Sequence, residues 1–268
     1  LSKGSEPIKL ANPLSAELSV MRSSLWSGLL KSVSYNLKRQ QARVRLFETG
    51  LTFVKTEKGL VQRKKIAGAI TGSVLKSQWA EAERKVDFYD IKGDVESLLN
   101  EVTGSDFTFF IGTHPSLHPG QSADIYKGEE RIGCLGAIHP RLEKALGFGQ
   151  AVYVFELDVA KIQQSGLPSY QKVSTYPSVQ RDISLLISDK VSFSEVCATI
   201  DKADLYQLLD YYLFDSYSGN GIEYGKKSLA LSLIFQDVSR TLEEAEVSIW
   251  VDSLAQQLER EIGAILRN

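Results

Sequence analysis

Apolar residues recur along this chain at two spacings, three to four residues apart and two apart, and the switches between them mark the elements. Leu25, Leu29, Leu30, Val33 and Leu37 fall at helical spacing. They predict a helix from about Leu25 to Gln41, with Ser23 or Ser24 available to cap it. Arg43 to Val54 reads as a strand interrupted by Gly50, and Ile66 to Thr71 as a second. Phe88 to Val102 has Ile91, Val95, Leu98 and Leu99 on one helical face and ends near Gly104. Four strand-like runs follow, Phe107–Ile111, Ala123–Tyr126, Arg131–Ile138 and Val152–Leu157, with a short helix near Arg141–Leu146. Many strands, hairpin-like turns and few helices predict an α+β fold built on a largely antiparallel sheet.

Beyond a stretch rich in Pro, Ser and Gly from Gln163 to Ser178, the order is cleaner. Arg181–Ile187 is a strand, and Ser192–Ala203 a helix with Phe193, Val196 and Ile200 inward. Leu209–Tyr217 and Lys227–Phe235 are strands, the second in strict alternation. Thr241-Leu242-Glu243-Glu244 has the form of a capping box. It opens a helix to about Ile262, with Val247, Val251, Leu254, Leu258 and Ile262 on its inner stripe. Ala264–Arg267 closes the series. The order βαββαβ is that of a ferredoxin-like split fold. Two domains are expected, 1–165 and 174–268.

Composition adds a charge step. The 268 residues are 43% apolar and 24% charged, as in a soluble globular protein, and the net charge is −2. From Ser174 onward there are 8 Lys and Arg against 15 Asp and Glu, a net of −7, so the preceding part carries +5. The C-terminal part is therefore not built to grip phosphates. No apolar run approaches the roughly 18 residues that a membrane helix needs. Cys134 and Cys197 form no CxxC pair, which argues against a zinc site or a disulfide scaffold. The chain opens on Leu1, with no signal-peptide pattern after it. A piece cut from a longer protein is expected, with processing or a shortened expression sequence as alternatives.

Short motifs now stand in a recognisable order. They are Asn12-Pro13-Leu14-Ser15, Met21-Arg22-Ser23-Ser24-Leu25, Gly28-Leu29-Leu30, Leu46-Phe47-Glu48-Thr49-Gly50, Asp90-Ile91-Lys92-Gly93 and His118-Pro119-Gly120-Gln121-Ser122-Ala123. Gly133 to Pro140 continues the series. Tyr176-Pro177-Ser178, Arg181-Asp182, Leu213-Phe214-Asp215, Lys226-Lys227-Ser228-Leu229 and Arg240-Thr241-Leu242 complete it. In this order they resemble the beta subunit of bacterial phenylalanyl-tRNA synthetases over nearly the whole chain. The resemblance implies a domain that copies the class II synthetase fold without its active site, then a ferredoxin-like anticodon-binding domain. It implies a cytoplasmic ligase that joins phenylalanine to its tRNA through an adenylate, with two alpha and two beta subunits and catalysis in alpha. ATP and magnesium would belong to that complete enzyme and not to this fragment. The editing domain and any magnesium ligands of beta would lie before Leu1.

A class II adenylate site needs cations against the ATP phosphates. Arg45-Leu46-Phe47-Glu48 resembles the Arg-bearing strand of the second class motif only vaguely. Gly147-Phe148-Gly149 is followed by Gln150 and Ala151, not by the Arg of the third. Arg45 and Glu48 are therefore read as structural, and no catalytic residue is expected. His114 and His118 are four apart, but each precedes a proline, which disfavours the helix that would join them at a metal. His139-Pro140 reads as a turn, and Gly120, Gly133 and Gly136 as permits for turns and bulges. The basic cluster Lys31, Lys38, Arg39, Arg43 and Arg45 is either a solvated helix face or a contact to tRNA or the alpha subunit.

The C-terminal domain offers an open sheet face. If Leu229, Leu231, Leu233 and Phe235 face the helices, Ser228, Ala230 and Ser232 face outward. Asp215 resists burial, so strict alternation puts Tyr211, Leu213 and Tyr217 outward with it and Phe214 in the core. The expected RNA-binding set is Tyr211, Asp215, Tyr217, Ser228 and Ser232. Aromatics beside small residues can stack bases; the alternative is packing on the first domain or a neighbouring subunit. Two rival functions stand beside the leading one, an independent RNA-binding module and an oligomerisation scaffold.

Overall fold

The computed structural model describes residues 8–15, 19–56, 59–103, 107–163 and 173–267. The chain divides into two compact units, Leu1–Leu167 and Pro168–Asn268. The segment expected as a linker lies outside the described residues over 164–172, as does Gly104. Its last residues are tied to the second unit: Ser174 Oγ donates to Asp237 O at 2.9 Å, and Gln236 Nε2 to Tyr176 O at 2.7 Å.

The first unit is a six-stranded antiparallel sheet in the order β1-β2-β6-β5-β4-β3. Its strands are β1 (Val44–Thr56), β2 (Gly59–Thr71), β3 (Thr108–Ile111), β4 (Leu117–Lys127), β5 (Glu130–Ile138) and β6 (Val152–Asp158). Helix α1 (Trp26–Leu37) packs on one face against Ala67, Ala69, Val152 and Val154. Helix α2 (Phe88–Thr103) covers the other, against Ile70, Tyr153, Phe155 and Leu157. The central strands carry apolar residues on both faces because both faces are covered. Gly68 makes room for Phe155, since a Cβ there would lie 2.3 Å from its ring. Short helices α3 (Pro140–Leu146) and α4 (Val159–Ile162) flank β6.

Three differences from the sequence reading have physical causes. β2 begins at Gly59 rather than Ile66, because its outer half pairs with β1 alone; β6 reaches only to Lys65. Exposed on both faces, that half has no alternation to reveal it. α1 stops at Leu37 rather than Gln41, where Gln40 takes a left-handed φ of 63°. The turn α4 was not expected; Asp158 caps it by accepting from Ala160 N at 3.2 Å.

The second unit has strands β7 (Val179–Ser188), β8 (Leu208–Tyr217), β9 (Lys226–Phe235) and β10 (Ile265–Arg267), in the antiparallel order β10-β7-β9-β8. Helices α5 (Phe193–Lys202) and α6 (Glu244–Ile262) complete the βαββαβ order. Both cover one face. Val196 and Ile200 of α5 and Val247, Leu254 and Leu258 of α6 pack on Ile183, Leu185, Leu229, Leu231, Leu233 and Phe235. The N-cap of α6 is Glu243, not Thr241. Arg240 holds Glu246 with two bonds of 2.7 and 2.8 Å, and Glu246 accepts from Glu243 N at 3.2 Å, so the box forms two residues later. A further box, Ser192 with Glu195, opens α5.

Candidate nucleic-acid interface

The face of the second sheet away from α5 and α6 is built by the alternation of β9. Leu229, Leu231, Leu233 and Phe235 are buried under the helices, and Ser228, Ala230 and Ser232 turn the other way, as expected. The edge strand β8 does not follow the expected phase. Tyr211 stands across from Leu233 and Leu213 from Leu231, so both face the helices. The Tyr211 hydroxyl donates to Asp201 Oδ1 of α5 at 2.8 Å, which removes Tyr211 from the outward set. Burial first, and then the Asp201 bond, push its phenol well above the ordinary range.

Phe214 is not a core residue either. The ladder slips between Leu213 and Asp215, leaving Phe214 as the unpaired residue of a bulge and 54% exposed. The bulge resets the alternation. Asp215 then faces outward across from Ala230, and Tyr217 across from Ser228. Strict alternation would make Tyr211 and Tyr217 share a face; one inserted residue separates them. Tyr212, which the sequence reading did not single out, points outward across from Ser232 and is 44% exposed.

The outward face is thus a grid of three rows. Leu186, Ser228 and Tyr217 form one; Ser184, Ala230 and Asp215 the next; Asp182, Ser232 and Tyr212 the third. Ser184 and Ser228 share a hydroxyl–hydroxyl bond of 3.2 Å. The Tyr217 hydroxyl donates to Asn220 O at 3.2 Å, folding the ring toward the β8–β9 turn. Gly219 permits this, because a Cβ there would sit 2.8 Å from that hydroxyl. Ser232 differs from its neighbours. It has no exposed surface, and its Oγ finds no hydrogen-bond partner.

In the first unit, the residues with a possible link to adenylate chemistry are engaged structurally. Arg45 donates to Asp94 of α2 at 2.5 Å, while Glu48, on the opposite face, accepts from Arg22 at 2.5 Å. Arg39 stacks on Tyr35, and Arg43 donates to Val74 O. At the start of α1, buried Glu156 accepts from Ser24 Oγ and Leu25 N, each at 2.8 Å, and from Lys65 Nζ at 2.5 Å. Ser24 Oγ also accepts from Trp26 N at 3.1 Å, but the N-cap of α1 is Leu25, which makes no side-chain cap bond, so neither Ser23 nor Ser24 holds the expected cap position.

The three histidines share one job. In each His-Pro pair, Nδ1 accepts the backbone N–H two residues on: Ser116 for His114, Gly120 for His118, Arg141 for His139. Among the described residues no three His, Cys, Asp or Glu side chains gather as a metal site. Those residues offer no such cluster to a magnesium ion, and Arg45, the candidate cation for ATP phosphates, is held by Asp94. No helix among them is long and apolar enough to cross a membrane.

Residues 1–159 match the family model described as the phenylalanyl tRNA synthetase beta chain CLM domain, and residues 174–267 match the ferredoxin-fold anticodon binding domain. The chain belongs to the phenylalanyl-tRNA synthetase beta chain family. Among curated relatives, the phenylalanine–tRNA ligase beta subunit of Pseudomonas fluorescens is 46% identical over 98% of this chain and 34% of its own length. That of Shewanella oneidensis is 44% identical over 99% of this chain and 34% of its own length. The chain therefore spans about a third of these relatives. A solved pyrrolysyl-tRNA synthetase of Desulfitobacterium hafniense is 11% identical at a TM-score of 0.45, over 58% of this chain and 52% of that one. Within the beta chain family, the second unit carries the ferredoxin fold that its strand order shows.

Proposed function

We propose that this chain is the non-catalytic synthetase-like part (1–165) and the anticodon-binding part (174–268) of a cytoplasmic phenylalanine–tRNA ligase beta subunit. It pairs with a catalytic alpha subunit in an α2β2 enzyme, which supplies the ATP and magnesium chemistry. The observation that carries the tRNA reading is the grouping of Asp215, Tyr217 and Ser228 on one exposed patch. A phenol ring offers a stacking surface worth about 1–3 kcal/mol per base. An ionised carboxylate only accepts, so Asp215 selects a base edge that presents N–H donors, and Ser228 can either give or take. The acidic balance of this unit, 8 basic against 15 acidic residues from Ser174 on, supports reading through bases rather than phosphates. It speaks against a free-standing RNA module, which would need its own cationic footing.

Co-expression with a catalytic alpha subunit tests this reading. The two should co-purify, and phenylalanine-dependent ATP–pyrophosphate exchange should appear only with alpha present. Exchange catalysed by this chain alone, or no association, contradicts it.

A further inference from the structure

The β8–β9 connection contains a tight turn at 219–222, in which Ile222 N donates to Gly219 O at 3.0 Å. Asn220 and Gly221 are its two central residues, and both are exposed. Gly221 has a φ of 90°, whereas Asn220 is not among the residues of positive φ, so the turn is of type II. A Cβ at Gly221 would meet nothing within 4 Å. The space beside its backbone nitrogen is therefore open, and glycine tolerates either orientation of the peptide that joins it to Asn220. Among the described residues, nothing is hydrogen-bonded to Gly221 N or to the Asn220 side chain; Asn220 is engaged only through its backbone carbonyl.

A free side-chain amide thus sits next to a free, unhindered backbone nitrogen. The other described asparagines lack this pairing. Asn12 precedes Pro13, which has no N–H to offer. Asn36 and Asn100 lie in α1 and α2, where the helix holds the N–H of the next residue. Asn36 Nδ2 is also bonded to Ser32 O at 2.8 Å.

We infer that Asn220 is a site of self-catalysed covalent modification, in which its side-chain amide is lost to attack by Gly221 N. A bond forms between Gly221 N and Asn220 Cγ, the Cγ–Nδ2 bond breaks, and ammonia leaves with the proton that Gly221 gives up. Water then opens the resulting five-membered imide. Opening at Cγ leaves aspartate at position 220 with the backbone as it was. Opening at the backbone carbonyl leaves isoaspartate, whose chain runs through the side chain and is one methylene longer. In sum, water is consumed and ammonia released, and nothing is oxidised or reduced. Either product adds negative charge to a unit that already carries −7 from Ser174 on. The isoaspartate form also displaces the carbonyl that accepts from the Tyr217 hydroxyl at 3.2 Å, and so frees that ring. The consequence for tRNA rests on the reading above; the covalent change does not.

Holding the full chain in neutral buffer for days and weighing its tryptic peptides tests the site. The peptide Ala203–Lys226 should gain the mass of an amide-to-acid exchange and elute in two forms, while the peptides that hold Asn12, Asn36 and Asn100 stay unchanged. Asn220→Gln makes the side chain too long for a five-membered ring, and the shifted species should be lost. No shift at Asn220, conversion of Asn36 or Asn100 at the same rate, a shift that persists in Asn220→Gln, or conversion only after urea unfolding would each overturn the site. In the complete enzyme, the isoaspartate form, separated chromatographically, should raise KM for tRNA by about five-fold, the value of the lost Tyr217 bond, with phenylalanine activation intact. An unchanged KM in a form that mass shows to be converted removes the link to Tyr217 and leaves the covalent change standing. If Tyr217→Ala also leaves KM unchanged, the failure lies with the tRNA reading.

Discussion

Tyr211 and Tyr212 are adjacent on β8 and serve opposite faces of the sheet. The first is bonded to Asp201 of α5 at 2.8 Å; the second points outward across from Ser232. Removing the Tyr211 hydroxyl takes a stabilising bond from the helix side and leaves the open face untouched. Tyr211→Phe should lose about 0.5–1.5 kcal/mol in urea unfolding and aminoacylate tRNA at the wild-type rate. Phe214→Ala, at an exposed bulge, should change stability by no more than about 0.5 kcal/mol. A loss of several kcal/mol for Phe214→Ala would return that ring to the core and undo the assigned phase of β8.

Glu156 gathers three donors where α1 begins, and its removal strands two of them. Ser24 Oγ and Leu25 N lie in buried surroundings, whereas the Lys65 side chain is 21% exposed and can turn to water. Glu156→Ala should therefore cost about 3 kcal/mol, the low end for breaking a buried pair. Glu156→Gln keeps an acceptor oxygen and should cost less. Equal stability of wild type and Glu156→Ala in urea would show that the carboxylate does not anchor the helix.

His114 gives the first unit a pH dependence. Burial is the main cause that holds its pKa below the ordinary 6.5; Arg131 adds to the effect, and Glu156 and Asp124 oppose it. The folded state thus favours the neutral ring, whose Nδ1 accepts from Ser116 N. The unfolded chain binds the proton more readily. This contribution is complete above about pH 6.5 and is lost as pH falls below it. His114→Asn keeps an acceptor for the turn without titrating. Between pH 7 and pH 5 the wild-type melting temperature should fall more than that of His114→Asn. Parallel curves over that window would refute this.

Much of the fold was legible because periodicity reports which side of an element is covered. Leu229, Leu231, Leu233 and Phe235 gave the facing of β9, and Val247, Leu254 and Leu258 that of α6. The outer half of β2 was not legible, since its described residues from Gly59 to Lys64 are mostly exposed on both faces. Of the site, Asp215, Tyr217, Ser228 and Ser232 were assigned to the correct side. Tyr211 was not, and Tyr212 was missed. A bulge needs only one inserted residue and carries no required signal unless a glycine marks it. Here the residue is Phe214, whose bulk suggested burial.

We propose that this chain serves tRNA recognition through the open sheet face and takes no part in amino acid activation. Tyr217→Ala in the complete enzyme tests it most directly, with phenylalanine activation and tRNA aminoacylation measured on the same preparation. Tyr217 is 46% exposed, so folding should be nearly unaffected. Its kcat/KM for tRNA should fall by about 10- to 100-fold, the value of one stacked base, with ATP–pyrophosphate exchange at the wild-type rate. Wild-type kinetics in both assays, or an equal fall in both, would contradict it.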